Sequence, residues 1–270
     1  MPHVHNEGAD IYWEEHGRGE PLILVSGLGY TIEMWFRLLP ELSKRYRTIV
    51  LDNRGVGRSS VPGGPYRVPL MASDVAAVLD AAGVERSHLL GMSMGGMIAQ
   101  EFALTYPGRV ASLILACTSC GGLWAAIAPL RVLGLLFSRA DLDPEASARA
   151  LIPYTYDPST PRERVDEDIR RRLVNYPSRE GYMNQLQGLM MWSSYSRLRN
   201  LRMRTLVLHG ESDILVPPRN AKILAGAIAG AQVTLLPNTS HAFFTDQPEA
   251  SCDAILGFLE QASAEVEANL

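Results

Sequence analysis

The sequence alternates short apolar runs with longer stretches of helical hydrophobic periodicity, and this alternation most constrains the fold. Several runs lack a polar residue at every second position, which is typical of strands buried on both faces of a parallel sheet. Repetition of strand and helix predicts a doubly wound, mostly parallel α/β sheet. We predict strands at 21–27, 47–52, 87–93, 110–118, 204–210 and 231–238, an edge hairpin around 9–17, and helices at 33–44, 69–82, 95–106, 218–229 and 247–262.

The interval 121–200 interrupts this alternation. It has no clear strand pattern, and prolines at six positions divide it into three or four helical segments. A structureless loop of this length would be unusual in a compact domain. We therefore predict a helical cap, residues 121–200, inserted into an α/β core formed by residues 1–120 and 201–270.

Composition excludes several classes of function. With 25 Lys and Arg against 29 Asp and Glu, the net charge is −4, so the chain lacks the basic surface of a nucleic-acid-binding protein. No apolar run approaches the ~18 residues of a membrane span, and the polar N-terminal segment lacks the apolar stretch of a signal peptide. We expect a cytoplasmic protein without a nucleic-acid or membrane partner; composition does not address the oligomeric state.

The three cysteines are too few for a four-ligand structural zinc site. Cys117 and Cys120 form a C-x-x-C pair, but Cys252 is the only other cysteine, and no C-x-x-H follows. We interpret the pair as small core or turn residues, with a metal or redox site as the alternative. The prediction is therefore no metal and no organic cofactor, in a reducing compartment.

A single serine stands at the junction of a predicted strand and a predicted helix. In GMSMG, Ser93 has Gly91 two residues before it and Gly95 two residues after it. Such a tight turn strains the serine backbone and exposes its hydroxyl at the carboxyl end of the sheet, and side chains at both glycine positions would collide. This nucleophile elbow predicts Ser93 as a catalytic nucleophile. The alternative is an ordinary N-cap serine.

A serine hydroxyl needs a histidine base that a carboxylate orients. Two histidines follow Ser93, namely His209 and His241. His241 lies just past the last predicted strand, at the correct edge of the sheet, whereas His209 lies inside a strand and is interpreted as structural. For the acid we favour Asp213 over Glu211, because Asp213 lies further into its loop, before an apolar segment that would bury it.

Acyl transfer also requires an oxyanion hole of backbone N–H groups. One donor is predicted at Met94, the residue after the nucleophile, at the positive end of the helix that it opens. The second is predicted at Leu28, in the loop after the first buried strand, where Gly27 allows the turn. Asp52 also follows a strand, but its Asn and Gly neighbours are typical of a turn, and we interpret it as structural.

Five segments together resemble the α/β-hydrolase superfamily over essentially the whole chain: SGLG (26–29), DNRGVGRS (52–59), GMSMGG (91–96), HGESDILVP (209–217) and TSHAFFTDQP (239–248). The chain is similar to the small cap-bearing group that holds 3-oxoadipate enol-lactonases, carboxylesterases and cofactor-free haloperoxidases or perhydrolases. The resemblance implies Ser93 as nucleophile, Asp213 as acid and His241 as base, with Leu28 and Met94 as the oxyanion hole.

One loop departs from the family pattern, because Ser26-Gly27 stands where most relatives have His-Gly. Serine at the elbow argues against haloalkane dehalogenases and epoxide hydrolases, which resemble this fold but use Asp there. The resemblance implies a serine hydrolase that cleaves a small carboxylic ester or lactone through an acyl-enzyme. Peracid formation, amide hydrolysis or carbon–carbon cleavage by the same residues, and a small-molecule receptor on the same fold, remain as alternatives.

Large apolar side chains of the cap and core loops are candidates for a mainly apolar substrate pocket, with simple cap–core packing as the alternative. They are Trp35, Trp124, Leu135, Phe137, Met190, Met191, Trp192 and Phe243. Arg131, Arg139 and Arg149 could instead hold a substrate carboxylate, and Arg131 lies in the apolar stretch APLRVLGLLF. We interpret Arg131 as pointing to solvent, and therefore predict a neutral or weakly polar ester or lactone rather than a dicarboxylate.

Overall fold

An eight-stranded sheet forms the centre of the computed structural model, which describes the backbone of residues 2–268 and the side chains of residues 2–263. Its strand order is β1-β2-β4-β3-β5-β6-β7-β8; β3 to β8 run parallel, and the β1–β2 hairpin pairs antiparallel with β4. The predicted α/β fold is confirmed. The strands are β1 His3–Asn6, β2 Ala9–His16, β3 Glu20–Val25, β4 Tyr46–Leu51, β5 Ser87–Met92, β6 Val110–Ala116, β7 Arg204–Gly210 and β8 Gln232–Leu236.

Helices cover both faces of the sheet. The α-helices of the described residues are α1 Leu39–Leu42, α2 Val68–Ala81, α3 Met94–Thr105, α4 Leu130–Ser138, α5 Pro144–Ala150, α6 Ile152–Thr155, α7 Arg162–Val174, α8 Arg179–Met190, α9 Arg219–Ala227, α10 Phe243–Asp246 and α11 Pro248–Ala268. Residues of α2, α3 and α9 belong to one buried apolar cluster, and residues of α1 and α11 belong to the other. None of the described helices is both long and apolar enough to cross a membrane.

The strand β3 shows why its sequence lacks alternation. Ile23 and Val25 pack into the cluster on one face, whereas Leu22 and Leu24 pack into the cluster on the other. All four side chains are fully buried. A strand buried on both faces gains from apolar residues at every position, so the run is continuous.

The prediction of one continuous helix at 33–44 is wrong. The structure has a short 3₁₀ helix at Ile32–Trp35, and α1 begins only at Leu39. Pro40 occupies the first turn of α1, where its missing N–H is tolerated, but it could not donate within a continuous helix. The proline therefore starts a new helix instead of extending the previous one.

Between residues 121 and 200 the structure has the five helices α4 to α8 and an isolated bridge between Gly121 and Ser193. The buried Gln185 of α8 joins this segment to two core loops: its Oε1 accepts from Gly29 N–H at 2.9 Å, and its Nε2 donates to the Arg54 carbonyl at 2.9 Å. These bonds hold α8 across the carboxyl ends of the strands, above Ser93.

Candidate active site

Ser93 lies on the turn between β5 and α3. Its φ of 56° and ψ of −119° fall outside the regions that L-residues ordinarily adopt. A Cβ on Gly91 would lie 2.2 Å from the Gly95 carbonyl oxygen, and a Cβ on Gly95 would lie 2.0 Å from the Val25 carbonyl oxygen. Both positions therefore require glycine, for the steric reason that the sequence indicated. Backbone strain of this kind persists where the surrounding structure enforces it, and it is common at active sites.

The Ser93 side chain is partly exposed and does not cap α3. Its Oγ has no hydrogen-bond partner among residues 2–263. The backbone is anchored instead: Ser93 N–H donates to Ala116 at 2.9 Å, and Thr118 Oγ1 donates to the Ser93 carbonyl at 2.6 Å. The N-cap alternative therefore does not hold, and the hydroxyl is free to meet a ligand.

Asp213 and His241 meet at the same edge of the sheet. His241 Nδ1 lies 2.8 Å from Asp213 Oδ2, and both residues are buried. The other carboxylate oxygen, Oδ1, accepts from Val216 N–H at 2.8 Å. Glu211, the alternative acid, is exposed. With Nδ1–H directed to Asp213, the neutral imidazole keeps an unprotonated Nε2.

The electrostatics of Asp213 favour the carboxylate. Burial acts to raise its pKa, but the charge of His241 and hydrogen bonds from His209 and His241 outweigh burial, so the pKa of Asp213 is lowered. His209 is buried and donates from Nε2 to the Val216 carbonyl at 2.8 Å, as expected for a structural histidine. Asp213 is thus held as an anion beside His241.

A metal at this position would compete with these contacts. Among residues 2–263, Cys117, His209 and Asp213 form one group whose ligand atoms lie within 4.8 Å of one another. Both oxygens of Asp213 already bond to the protein, and burial raises the pKa of Cys117 well above its usual range. A metal here would therefore have to displace the hydrogen bonds that hold Asp213 beside His241 and the Val216 amide.

Two residues whose backbone amides have no protein partner among the described residues line the same cavity as Ser93. Leu28 and Met94 both line it, and neither N–H has a protein partner within the described part of the chain. Met94 is the first residue of α3, so its amide lies at the positive end of that helix. The two N–H groups can therefore donate to an oxyanion formed on a ligand bound at Ser93.

The cavity at Ser93 has a volume of about 140 Å³ and a mainly apolar lining. Its walls come from core loops, from the β5–α3 junction, and from α4, α6, α8 and the turns beside them. The lining residues are Gly27, Leu28, Tyr30, Met92, Ser93, Met94, Met97, Leu136, Arg139, Leu151, Thr155, Leu186, Leu189, Leu215, Val216 and His241.

The structure places none of the large apolar pocket candidates in this lining, which corrects the sequence-based choice. Three are buried in the core: Trp35 donates to Ser26 Oγ at 3.0 Å, Trp192 donates to Glu101 Oε2 at 2.7 Å, and Phe243 packs beside Phe244. The others lie elsewhere: Trp124 stacks on Tyr195 at the surface, Phe137, Met190 and Met191 are exposed, and Leu135 is outside the lining.

Sequence reasoning missed the aliphatic residues that do line the cavity. Leu136 of α4 lines the cavity, whereas the adjacent Phe137 is exposed to solvent. Helical periodicity could not choose between them, because α4 is apolar on most sides. Leu215 and Val216 could have been predicted as lining residues from the sequence, because they belong to the apolar segment that follows Asp213.

Comparison with known proteins finds matches over most of the chain. A family model described as the alpha/beta hydrolase fold matches residues 20–248. The chain is 33% identical over 263 residues to a protein of Azorhizobium caulinodans named as the carbamate hydrolase RutD, covering 96% of this chain and 98% of that one. It is also 33% identical over 242 residues to a poly(3-hydroxyalkanoate) depolymerase of Ectopseudomonas oleovorans, covering 89% and 84% of the two chains.

A solved structure extends the likeness to three dimensions. A thermophilic esterase of Thermogutta terrifontis, with malate bound, matches with a TM-score of 0.85 at 28% identity and covers 97% of this chain and 98% of that one. The family model spans most of the chain, and strands β3 to β8, the strained serine turn and the Asp213–His241 pair occur within the matched range. The chain belongs to the α/β-hydrolase family.

Proposed function

We propose that the protein is a serine hydrolase that cleaves a small carboxylic ester or lactone through an acyl-enzyme. One observation carries the proposal: the unpartnered hydroxyl of Ser93, on a strained turn, shares its cavity with His241, which Asp213 holds by Nδ1. A nucleophile and a base in one cavity, with a buried acid that orients the base, are the parts that acyl transfer needs.

In the proposed reaction, Ser93 Oγ attacks the substrate carbonyl carbon while His241 Nε2 takes the hydroxyl proton. The negative oxygen of the tetrahedral intermediate accepts hydrogen bonds from the Leu28 and Met94 amides. The intermediate then releases the alcohol, which receives the proton from His241. A water molecule attacks the acyl-enzyme by the same route and regenerates the free serine.

The substrate class is inferred from the cavity and the relatives. A mainly apolar cavity of about 140 Å³ suits a short acyl chain better than a bulky one. The three relatives named above are described as a carbamate hydrolase, a depolymerase and an esterase. A carbamate would react by the same steps, so a methyl carbamate belongs in the substrate set beside esters and lactones.

The test is covalent labelling combined with turnover. A fluorophosphonate should add one group to the wild-type mass and none to Ser93→Ala, and Ser93→Ala should lose all hydrolysis of p-nitrophenyl acetate. Ser138→Ala, which changes an exposed serine at the end of α4, should keep both properties. Labelling at a serine other than Ser93 would disprove the assignment, and a folded wild type that binds esters without turnover would favour the receptor alternative.

A further inference from the structure

Arg139 belongs to the cap segment, residues 121–200, and is buried without a carboxylate partner among the described residues. It follows α4 and is only 2% exposed. Its Nε donates to Ser147 Oγ at 3.1 Å, its Nη2 donates to Tyr176 Oη at 2.8 Å, and its guanidinium lies 5.0 Å from the Tyr182 ring centroid. All these partners are neutral, and within residues 2–263 Arg139 forms no ion pair.

A second buried guanidinium lies close by. Arg172 of α7 is 8% exposed, and its Nη1 donates to Tyr30 Oη at 2.9 Å. Its Nε and Nη2 are buried without a protein partner. Asp168, one turn earlier on α7, does not neutralise it, because that carboxylate bonds to Arg37 and Thr245 instead.

Two buried cations without counter-ions are unfavourable in the free protein. Arginine does not lose its proton in proteins, so burial cannot be relieved by neutralisation. Buried charges are therefore ordinarily paired, and removing the partner of a buried pair is strongly destabilising. Two buried guanidinium groups without counter-ions are typical of an anion-binding site in which the ligand supplies the negative charge.

Arg139 lines two cavities, the one at Ser93 and a second one of about 280 Å³ that Ser147, Tyr176 and Tyr182 also line. Of the two, the cavity at Ser93 is the one that would bring an anion beside Ser93 and His241. Arg139 and Tyr30 line it together with Ser93 and His241, and Arg139 is the one permanently charged side chain in that lining. Thr155, also in the lining, has a buried Oγ1 without a hydrogen-bond partner. The rest of the lining is mainly apolar, so an anion entering it has Arg139 as its natural partner.

We propose that Arg139 binds a carboxylate of the substrate, with Arg172 adding positive potential from behind Tyr30, so that the preferred substrates are esters or lactones bearing a free carboxylate. The proposal rests on the proposed hydrolase function and specifies its substrate class. It reverses the sequence-based preference for a neutral substrate. The arginine then favoured as the alternative, Arg131, is exposed in the structure, whereas Arg139 reaches the cavity. A carboxylate matches the guanidinium fork in a planar, two-point contact.

The test compares two substrates of equal length, p-nitrophenyl hemiglutarate, which ends in a carboxylate, and p-nitrophenyl valerate, which ends in a methyl group. The wild type should prefer the hemiglutarate in kcat/KM by about tenfold or more, the scale expected for a hydrogen bond to a charged group. Arg139→Gln should abolish that preference, mainly through KM for the hemiglutarate, so that the ratio of the two kcat/KM values falls to about one. The matched control is Arg131→Gln, which should keep the wild-type ratio.

Equal or weaker turnover of the hemiglutarate by the wild type, or an equal loss on both substrates in a folded Arg139→Gln, would overturn the proposal. If Arg139→Gln does not fold, Arg139→Lys serves, because it keeps the charge but loses the fork and should retain only part of the preference. In the wild type, glutarate should slow fluorophosphonate labelling of Ser93. Protection by inorganic phosphate but not by glutarate would contradict the carboxylate assignment.

Binding to Ser93→Ala separates this inference from the proposed function. Calorimetry should detect glutarate binding to Ser93→Ala and at least about tenfold weaker binding to Ser93→Ala/Arg139→Gln. If glutarate binds in this way while the wild type hydrolyses no ester, the hydrolase proposal fails and the anion site stands. If esters turn over but glutarate does not bind, the anion site fails alone.

Discussion

At the residue scale, Asp213 shows how a buried carboxylate is kept ionised. Its two oxygens accept from Val216 N–H and face His241 Nδ1, each at 2.8 Å. Burial alone would raise its pKa, yet the neighbouring imidazoles lower it. The negative charge favours the His241 tautomer with its proton on Nδ1 and, in the proposed reaction, would stabilise the imidazolium.

Replacing Asp213 by Asn should therefore remove most of the activity with little change in shape. The amide cannot stabilise an imidazolium, and it favours the wrong tautomer, so kcat should fall by about 10⁴-fold. Glu211→Gln changes the exposed carboxyl two residues away and should leave kcat within about twofold. Steady-state kinetics on p-nitrophenyl acetate would measure both effects on kcat. A small loss of kcat in Asp213→Asn together with a large loss in Glu211→Gln would mean that Glu211 is the acid.

At the scale of elements, the loop that carries His241 is held by a second buried carboxylate. Asp246, in α10, accepts from Ser240 N–H at 2.7 Å and from Thr160 Oγ1 at 2.6 Å. Burial raises its pKa from 3.8 to about 6 despite these hydrogen bonds, and the charge of Asp157 contributes in the same direction. The Asp246 carboxylate therefore links the His241 loop to the cap segment, although burial disfavours its ionised form.

This raised pKa predicts a pH dependence of stability with a definite sign. Between about pH 4 and pH 6 the folded protein binds a proton at Asp246 that the unfolded chain releases, so the contribution to stability is present at low pH and is lost as pH rises. The loss should amount to about 3 kcal/mol at most. The Asp246→Asn variant should not show this loss of stability as pH rises.

Urea unfolding at pH 4.5, 5.5 and 7 would measure the effect. The free energy of unfolding of the wild type, relative to Asp246→Asn, should decrease over this range and stay level above it. Asp253→Asn, an exposed carboxyl of α11, is the control and should follow the wild type. A wild type that gains stability relative to Asp246→Asn as pH rises would show that the sign is wrong.

At the scale of the whole molecule, helix α8 joins the cap segment to the sheet edge. Gly181 packs on Gly55 so closely that a Cβ on Gly181 would lie 1.8 Å from the Gly55 carbonyl oxygen. Gln185, one turn further, bonds to Gly29 and Arg54. Since Gly29 follows Leu28, the position of the proposed oxyanion loop depends on this contact.

Gln185→Leu should destabilise the protein and reduce activity together. It leaves the Gly29 N–H and the Arg54 carbonyl buried without partners, and each such group costs about 1–3 kcal/mol. Gln187→Leu, on the exposed side of the same helix, should stay within about 0.5 kcal/mol of the wild type. Chemical denaturation and kcat measured on the same preparations provide the comparison; equal stability of the two variants would contradict the proposed connection.

The sequence alone predicted the fold, and it predicted that Ser93, Asp213 and His241 would lie at one edge of the sheet. Strands buried on both faces leave a continuous apolar pattern, and the carboxyl ends of parallel strands meet at one edge of the sheet. Residues that directly follow such strands, including Ser93, Asp213 and the loop that carries His241, can therefore be placed near one another from chain order alone. The glycines beside Ser93 added a steric signature that is just as local.

Only the tertiary structure decided what lines the cavity and what charge it holds. Phe137 and Leu136 are neighbours on one apolar helix, yet the docking of α4 turns Leu136 inward and leaves Phe137 exposed. In the same way Arg131 reaches solvent, while Arg139, eight residues later, is buried beside Tyr182. A helix that is apolar on most sides can pack against the core in several rotations about its own axis. Contacts with residues distant in the chain determine which rotation is adopted, and local periodicity does not encode those contacts.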